Sequence, residues 1–191
     1  MIRIEDFKLK DIELRDLNIL FTWRNTERIR SVMINDEVIT YSQHSHWFRS
    51  LKDDPTKIAK IFLYKNLPIG FIQFTNINKL NGTCEWGFYI GENTTPRGFG
   101  TIMGILALDY LFNELKMRKL SASILDFNVT SINYHKKLGF TKEGRLLKQY
   151  IKNKSFIDLV LMGLFKESWY KHSEQLKKEV FRDSERDNNR E

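Results

Sequence analysis

The chain holds a single cysteine, Cys84. One thiol cannot close an internal disulfide, build a zinc ribbon or form a CxxC redox pair, and such usage suits a reducing compartment. No stretch approaches the roughly 18 apolar residues that span a bilayer. The N-terminus, Met-Ile-Arg-Ile-Glu-Asp, is charged from its third residue and has no apolar run, so no signal peptide is expected. A soluble cytoplasmic domain is the expectation. The sequence also lacks internal repeats, linkers, a Walker phosphate loop and an evident Ser-His-Asp or Cys-His set. No helix-turn-helix, aromatic RNA-binding pair or zinc motif argues for a nucleic-acid partner.

What is present is the material of one globular domain. The 191 residues are 41% hydrophobic and 13% aromatic, which excludes a disordered chain, a collagen and a disulfide-stapled miniprotein. Net charge is +7, and it has an address. Residues 166–191 carry seven basic and seven acidic side chains, so the excess lies entirely in residues 1–165. A moderately basic surface keeps a protein soluble. It also attracts an anionic ligand, either nucleic acid or a small molecule bearing phosphates.

Periodicity outlines an α/β domain with a mixed sheet. Residues 2–9 alternate as a first strand, and helical spacing runs from Asp11 to about Asn25. A second helix begins at Ser42 as N-cap. Strands follow at Ile58–Tyr64 and Ile69–Ile77, joined by a turn at 65–68, and Asn81-Gly82 leads into a strand over Thr83–Ile90. On that strand Cys84, Trp86, Phe88 and Ile90 share one face, while Glu85, Gly87 and Tyr89 share the other. An apolar helix spans about 101–116, with Asp109, Asn113 and Lys116 as its one polar stripe. A short strand at 120–124 precedes a helix over 130–138, which Gly139 ends as a left-handed cap. Two strands at 140–151 and 155–165 close the domain. Residues 166–181 read as a C-terminal helix and 182–191 as a disordered tail.

Between a strand and the long helix lies Arg97-Gly98-Phe99-Gly100-Thr101. Glycines allow a tight turn and a close ligand approach. The free N–H groups of the following helical turn favour an anion, to which Arg97 adds charge. Glycines also commonly do no more than close turns. The loop comes too late in the chain for a dinucleotide fold, whose fingerprint follows the first strand.

This stretch resembles the acetyl-CoA loop of GCN5-related N-acetyltransferases (GNAT), Gln/Arg-x-x-Gly-x-Gly/Ala. Arg97 and Gly100 match, and Ile102 stands where the pattern has a small residue. Residues 128–140 resemble the family's Asn-x-x-Ala/Ser-x-x-x-Tyr/His-x-x-x-Gly-Phe segment, with Asn128, Ser131, His135, Gly139 and Phe140 in register. The element order is that of the family over residues 1–165. The resemblance implies a sheet of about seven strands splayed between the fourth and fifth. It also implies acetyl-CoA as co-substrate and no metal. Its contacts would be the backbone of Phe88, Tyr89 and Ile90, the loop Arg97, Gly98, Phe99, Gly100, Thr101 and Ile102, and Asn128, Ser131 and Lys137.

The position of His135 is in many family members a tyrosine that protonates the departing thiolate. Here Tyr134 stands one place earlier, about 100° around the helix. Motif register favours His135 as the acid. Read as ordinary protein, His135 is a surface histidine and Tyr134 a core aromatic. Glu85, the carboxylate on the face of Tyr89, is the candidate base, with an exposed strand glutamate as the alternative.

Scattered marks are similar to nucleotide-sugar acetyltransferases of pseudaminic acid synthesis, which acetylate the 4-amine of a UDP-linked amino-dideoxy sugar. These are residues 23–25, 44–48 and 85–89, Asp158, and the segment 167–169. The first two helices would then wall the acceptor. Arg24 would bind a diphosphate, Asn25 and His44 would read hydroxyls, and Thr75, Asn76 and Tyr89 would face the same cleft. Arg24 could equally be a helix C-terminal cation and His44 a capping-turn residue. Rival acceptors are a polyamine, which wants several carboxylates, and a ribosomal-protein N-terminus. A homodimer is left open.

Overall fold

The computed structural model describes residues 3–187. Seven strands form one sheet in the order β1-β2-β3-β4-β5-β7-β6. They are β1 (Phe7–Asp11), β2 (Ile58–Tyr64), β3 (Leu67–Asn78), β4 (Thr83–Ile90), β5 (Lys119–Leu125), β6 (Thr141–Lys152) and β7 (Ser155–Phe165). The helices are α1 (Leu17–Asn25), α2 (Glu27–Arg30), α3 (Tyr41–Asp53), α4 (Phe99–Asp109), α5 (Val129–Lys137) and α6 (Lys166–Asp187).

The sheet is covered on both faces because its central strands are apolar on both. On β2, Ile61 and Leu63 join a core with Leu20 and Trp23 of α1, whereas Phe62 joins the larger core under α4. On β3, Phe71 belongs to the first core and Ile72 and Phe74 to the second. Strands buried this way read as near-continuous hydrophobic runs. The hairpin between β2 and β3 turns on Lys65 and Asn66, both left-handed (φ 48° and 66°), the turn geometry that matches strand twist.

Several boundaries differ from the periodicity. The first strand begins at Phe7, after a 3₁₀ turn at Ile4–Asp6, and runs to Asp11. Helix α1 therefore starts only at Leu17, behind a second 3₁₀ turn that leaves Leu14 exposed. The N-cap of α3 is Thr40, not Ser42: its hydroxyl accepts from Gln43 N and Gln43 reaches back to Thr40 N, a reciprocal capping box. Helix α4 begins at Phe99 and passes at Tyr110–Glu114 into a π turn. Its polar stripe is the docking line of α6. Asp109 accepts from Trp169 Nε1 (3.0 Å) and pairs with Lys177 (2.7 Å), and Asn113 accepts from Tyr170 (2.8 Å). Helix α6 continues to Asp187, six residues past the expected end at 181, so 182–187 are helical; residues 188–191 lie outside the described residues.

One pairing decides where a site can form. β4 and β5 run parallel and pair only over Thr83–Glu85 with Lys119–Ser121. Beyond that, β4 follows β3 as far as Ile90 and β5 follows β7 as far as Leu125. Aromatic rings line the fork between them: Phe88 packs on Tyr134 and His135 of α5, and Trp86 stacks on Phe140.

Candidate active site

The fork opens into a cavity of about 670 Å³. From Gly87 to Ile90 the β5-facing backbone edge of β4 has no strand partner. Peptide groups left free in a cavity need a ligand or water to satisfy them. At one end stands the first turn of α4. Gly98 caps it with φ 92°, a conformation that favours glycine, and a Cβ there would meet nothing within 4 Å. Phe99 N–H turns back to Pro96 O and Ile102 N–H bonds Gly98 O, so both are spent. The amides of Gly100 and Thr101 have no backbone acceptor outside the helix among the described residues. A helix start with two free donors fits an anionic group such as a pyrophosphate.

The expected loop residues divide by direction. Gly100 lines the cavity, and Arg97 and Gly98 are exposed just ahead of it. Phe99, Thr101 and Ile102 point inward. Phe99 packs on Phe7 and Tyr64, and Ile102 lies fully in the core. The departure at Ile102 therefore does not crowd the loop. Phe88, Tyr89, Ile90, Asn128 and Ser131 all line the cavity. Asn128 Oδ1 also caps α5, accepting from Ser131 N at 3.1 Å. Lys137 lies outside and donates to Thr101 Oγ1 at 3.2 Å.

Tyr134 and His135 both line the cavity but differ in freedom. His135 is 2% exposed. Its Nε2 accepts from Trp86 Nε1 (3.1 Å) and its Nδ1 meets Ser131 O (2.7 Å). Burial pulls its pKa down to about 4, against the weaker opposite effect of the Ser131 bond. It is a satisfied core histidine rather than a surface one. Tyr134 donates its hydroxyl to Gly100 O at 2.6 Å, beside the free amides, and burial pushes its pKa up. Gly104 makes room for it: a Cβ there would stand 2.4 Å from the Tyr134 hydroxyl.

At the other end, α1, α3 and the loop after α2 form a wall from which Arg24 and His44 line the cavity, opposite Tyr89 of β4. A row of rings runs along it: His44 stacks on Trp47 (5.1 Å), Trp47 meets Phe71 edge-on (5.8 Å), and Phe71 stacks on Tyr89 (5.1 Å). Arg24 Nη2 donates to Asn35 O (2.8 Å), while its Nη1 is buried with no partner among the described residues. Burial works against its charge. An orphaned guanidinium nitrogen is costly unless a ligand completes it.

Four expected residues are not brought here. Asn25 exchanges two hydrogen bonds with the Ile39 backbone (3.0 and 2.9 Å) and so pins the loop. Thr75, Asn76 and Glu85 do not line the cavity. They sit at the end of the β3–β4 ladder where β4 is still paired with β5, next to a bulge that turns Asn76 to φ 52°. Glu85 is exposed and accepts from Asn76 Nδ2 at 3.1 Å.

Sequence reasoning missed Arg28, which holds Ile90 O (3.1 Å) and Gly91 O (2.8 Å) at the end of β4. It also missed Gln73, which lines the cavity and which its polarity within an apolar strand could have flagged. Among the residues lining the cavity none is Asp or Glu. Among the described residues no three His, Cys, Asp or Glu side chains converge to hold a metal, and no helix is long and apolar enough to cross a membrane.

A family model described as the acetyltransferase (GNAT) domain matches residues 6–141. The chain belongs to the GNAT acetyltransferase family. It is 26% identical to acetyltransferase PseH of Campylobacter jejuni over 141 residues, 74% of this chain and 85% of that one. It is 22% identical to spermidine N(1)-acetyltransferase of Vibrio cholerae over 168 residues, 87% of this chain and 96% of that one. The crystal structure of Vibrio cholerae spermidine N-acetyltransferase with CoA and spermine superposes with TM-score 0.81 at 20% identity, covering 87% of this chain and 99% of that one. At that identity the likeness establishes the fold. This GNAT chain is thus an acetyl-CoA-dependent N-acetyltransferase.

Proposed function

We propose that the acceptor is a UDP-linked amino sugar, whose amine attacks the acetyl thioester directly in a ternary complex. One observation carries this reading: the cavity wall holds two arginines and no carboxylate, and Arg24 Nη1 is buried with no partner among the described residues. A polyamine is a polycation, and a wall of this charge repels it. A diphosphate supplies the acceptor atoms that a guanidinium lacks. The ring wall of Trp47, Phe71 and Tyr89 suits the flat faces of a base and a sugar.

Acetyl-CoA supplies the activated acyl group. The free amides of Gly100 and Thr101 would hold its pyrophosphate, and the open edge of β4 and Asn128 would hold its pantetheine arm. Tyr134, whose hydroxyl keeps its proton, would supply the donor for the departing thiolate. His135 has no proton to offer, because Trp86 at Nε2 and Ser131 O at Nδ1 lock its ring from both sides, whereas the Tyr134 hydroxyl can turn away from Gly100 O.

The test is a panel of UDP-amino sugars, polyamines and peptides incubated with acetyl-CoA and read by mass spectrometry. A single acetyl gain on a UDP-amino sugar is expected, with Arg24→Gln raising its KM at least tenfold. Acetylation of spermidine with no sugar acetylated would replace this reading with the polyamine one.

A further inference from the structure

Amine acetylation needs a proton acceptor, because a primary amine arrives at neutral pH mostly as ammonium and the cation has no lone pair with which to attack. The cavity offers few candidates. None of its lining residues is a carboxylate. Both ring nitrogens of His135 are engaged. Tyr89 and Tyr134 hold their protons, their pKa values raised by burial. Arg24 and Arg28 are permanent cations.

His44 remains. It is 4% exposed and its ring lines the cavity. Its Nε2 lies 3.0 Å from Leu17 O. A carbonyl only accepts, so Nε2 carries the hydrogen and Nδ1 is left with a bare lone pair. No side chain or backbone group among the described residues donates to Nδ1. Arg24 Nη1 is the one buried side-chain nitrogen or oxygen that lacks a partner among those residues. His44 Nδ1, partnerless but not sealed, therefore opens to solvent space, which at this ring is the cavity. Burial, with the Arg24 charge as a smaller contribution, lowers the pKa and keeps the ring neutral at pH 7; the Leu17 bond opposes them. Arg24 on α1 is the charged group whose field reaches the ring. Its other neighbours are Phe21 of α1 and Trp47 of α3, which do not titrate.

We propose that His44 Nδ1 is the general base of the reaction. The acceptor ammonium gives a proton to Nδ1, and the freed nitrogen lone pair forms the N–C bond. The C–S bond breaks, its electron pair leaves on sulfur, and the thiolate takes the Tyr134 hydroxyl proton, which the second proton shed by the newly acylated nitrogen replaces. The imidazolium keeps its Nε2–H on Leu17 O and releases the Nδ1 proton to water after turnover. This inference rests on the acetyltransferase reaction and is independent of which amine is acetylated.

The test compares wild type with His44→Gln from pH 6.5 to pH 10, using whichever acceptor the panel identifies. Glutamine keeps an N–H for Leu17 O but has no basic nitrogen. At pH 7 kcat should fall roughly 100-fold, the scale of general-base catalysis. Above the pKa of the acceptor's own amine the defect should shrink to within about threefold, because the amine then binds neutral and needs no base. The Kd for acetyl-CoA should be unchanged. A defect of equal size at both pH extremes, or none at pH 7, overturns the proposal. If His44→Gln does not fold, nitrogen-15 NMR of the wild-type imidazole decides. A neutral ring protonated on Nε2 is expected, and a ring protonated on Nδ1 overturns it. If spermidine proves to be the acceptor, the UDP-sugar reading fails and this test proceeds unchanged with that amine.

Discussion

Trp86 Nε1 donates to His135 Nε2 at 3.1 Å, and this bond fixes the protonation of the histidine. An indole N–H cannot accept, so Nε2 is bare and the ring's one hydrogen lies on Nδ1, facing Ser131 O at 2.7 Å. The residue that family register favours as the acid is neutral, buried and satisfied on both sides.

Stability should therefore fall in mild acid. His135 protonates near its ordinary 6.5 in the unfolded chain and near 4 when folded. Between these values the unfolded state binds more protons, so the contribution is complete above pH 6.5 and is lost as pH falls toward 4. Its size is up to about 3 kcal/mol. Urea unfolding of wild type and His135→Gln at pH 7.5 and 4.5 measures it. The wild type should lose more stability over that interval, and equal losses would remove His135 from the effect.

Tyr134→Phe removes the hydroxyl that meets Gly100 O. If this group serves the thiolate, kcat falls by about 10–100-fold, within the range of a general acid. The acetyl-CoA Kd, measured calorimetrically, should move less than threefold. Unchanged turnover would reject the role.

Gly104→Ala places a Cβ 2.4 Å from the Tyr134 hydroxyl and 3.0 Å from both Leu138 methyls. Overpacking of this kind costs about 1–3 kcal/mol. Because the closest clash is with the hydroxyl, the cost should be smaller in a Tyr134→Phe background. A double-mutant cycle in urea reads that coupling, and strict additivity would contradict the contact.

Lys152, at the end of β6, reaches across the fork to Asp36 Oδ2 (3.0 Å) and to Met33 O. It is the tie between the β6–β7 hairpin and the loop that also holds Arg24 through Asn35 O. Lys152→Ala should raise the acceptor KM several-fold and leave the acetyl-CoA KM unchanged. Asp36→Asn should do the same, with no further loss in the double variant. Equal increases in both KM values would show a general disturbance instead.

The sequence by itself determined the layered α/β domain. Its strands alternate or run apolar, and burial on one face or two imposes those patterns locally. It determined the glycine turn ahead of α4 and the left-handed stop at Gly139 (φ 91°), since each is a backbone requirement of a few neighbouring residues. The capping box at Thr40 and Gln43 was also written there, two residues ahead of the N-cap the periodicity suggested. Which motif residues meet a ligand was decided only by tertiary structure. Strand register places Glu85 where β4 is still paired and Tyr89 where it is not. The indole of Trp86, 49 residues away, settles what His135 can do. The Leu17 carbonyl, 27 residues before His44, settles which of its nitrogens stays open. Proton positions and charge balance in a cavity depend on partners remote in the chain, and periodicity and local motifs carry no record of them.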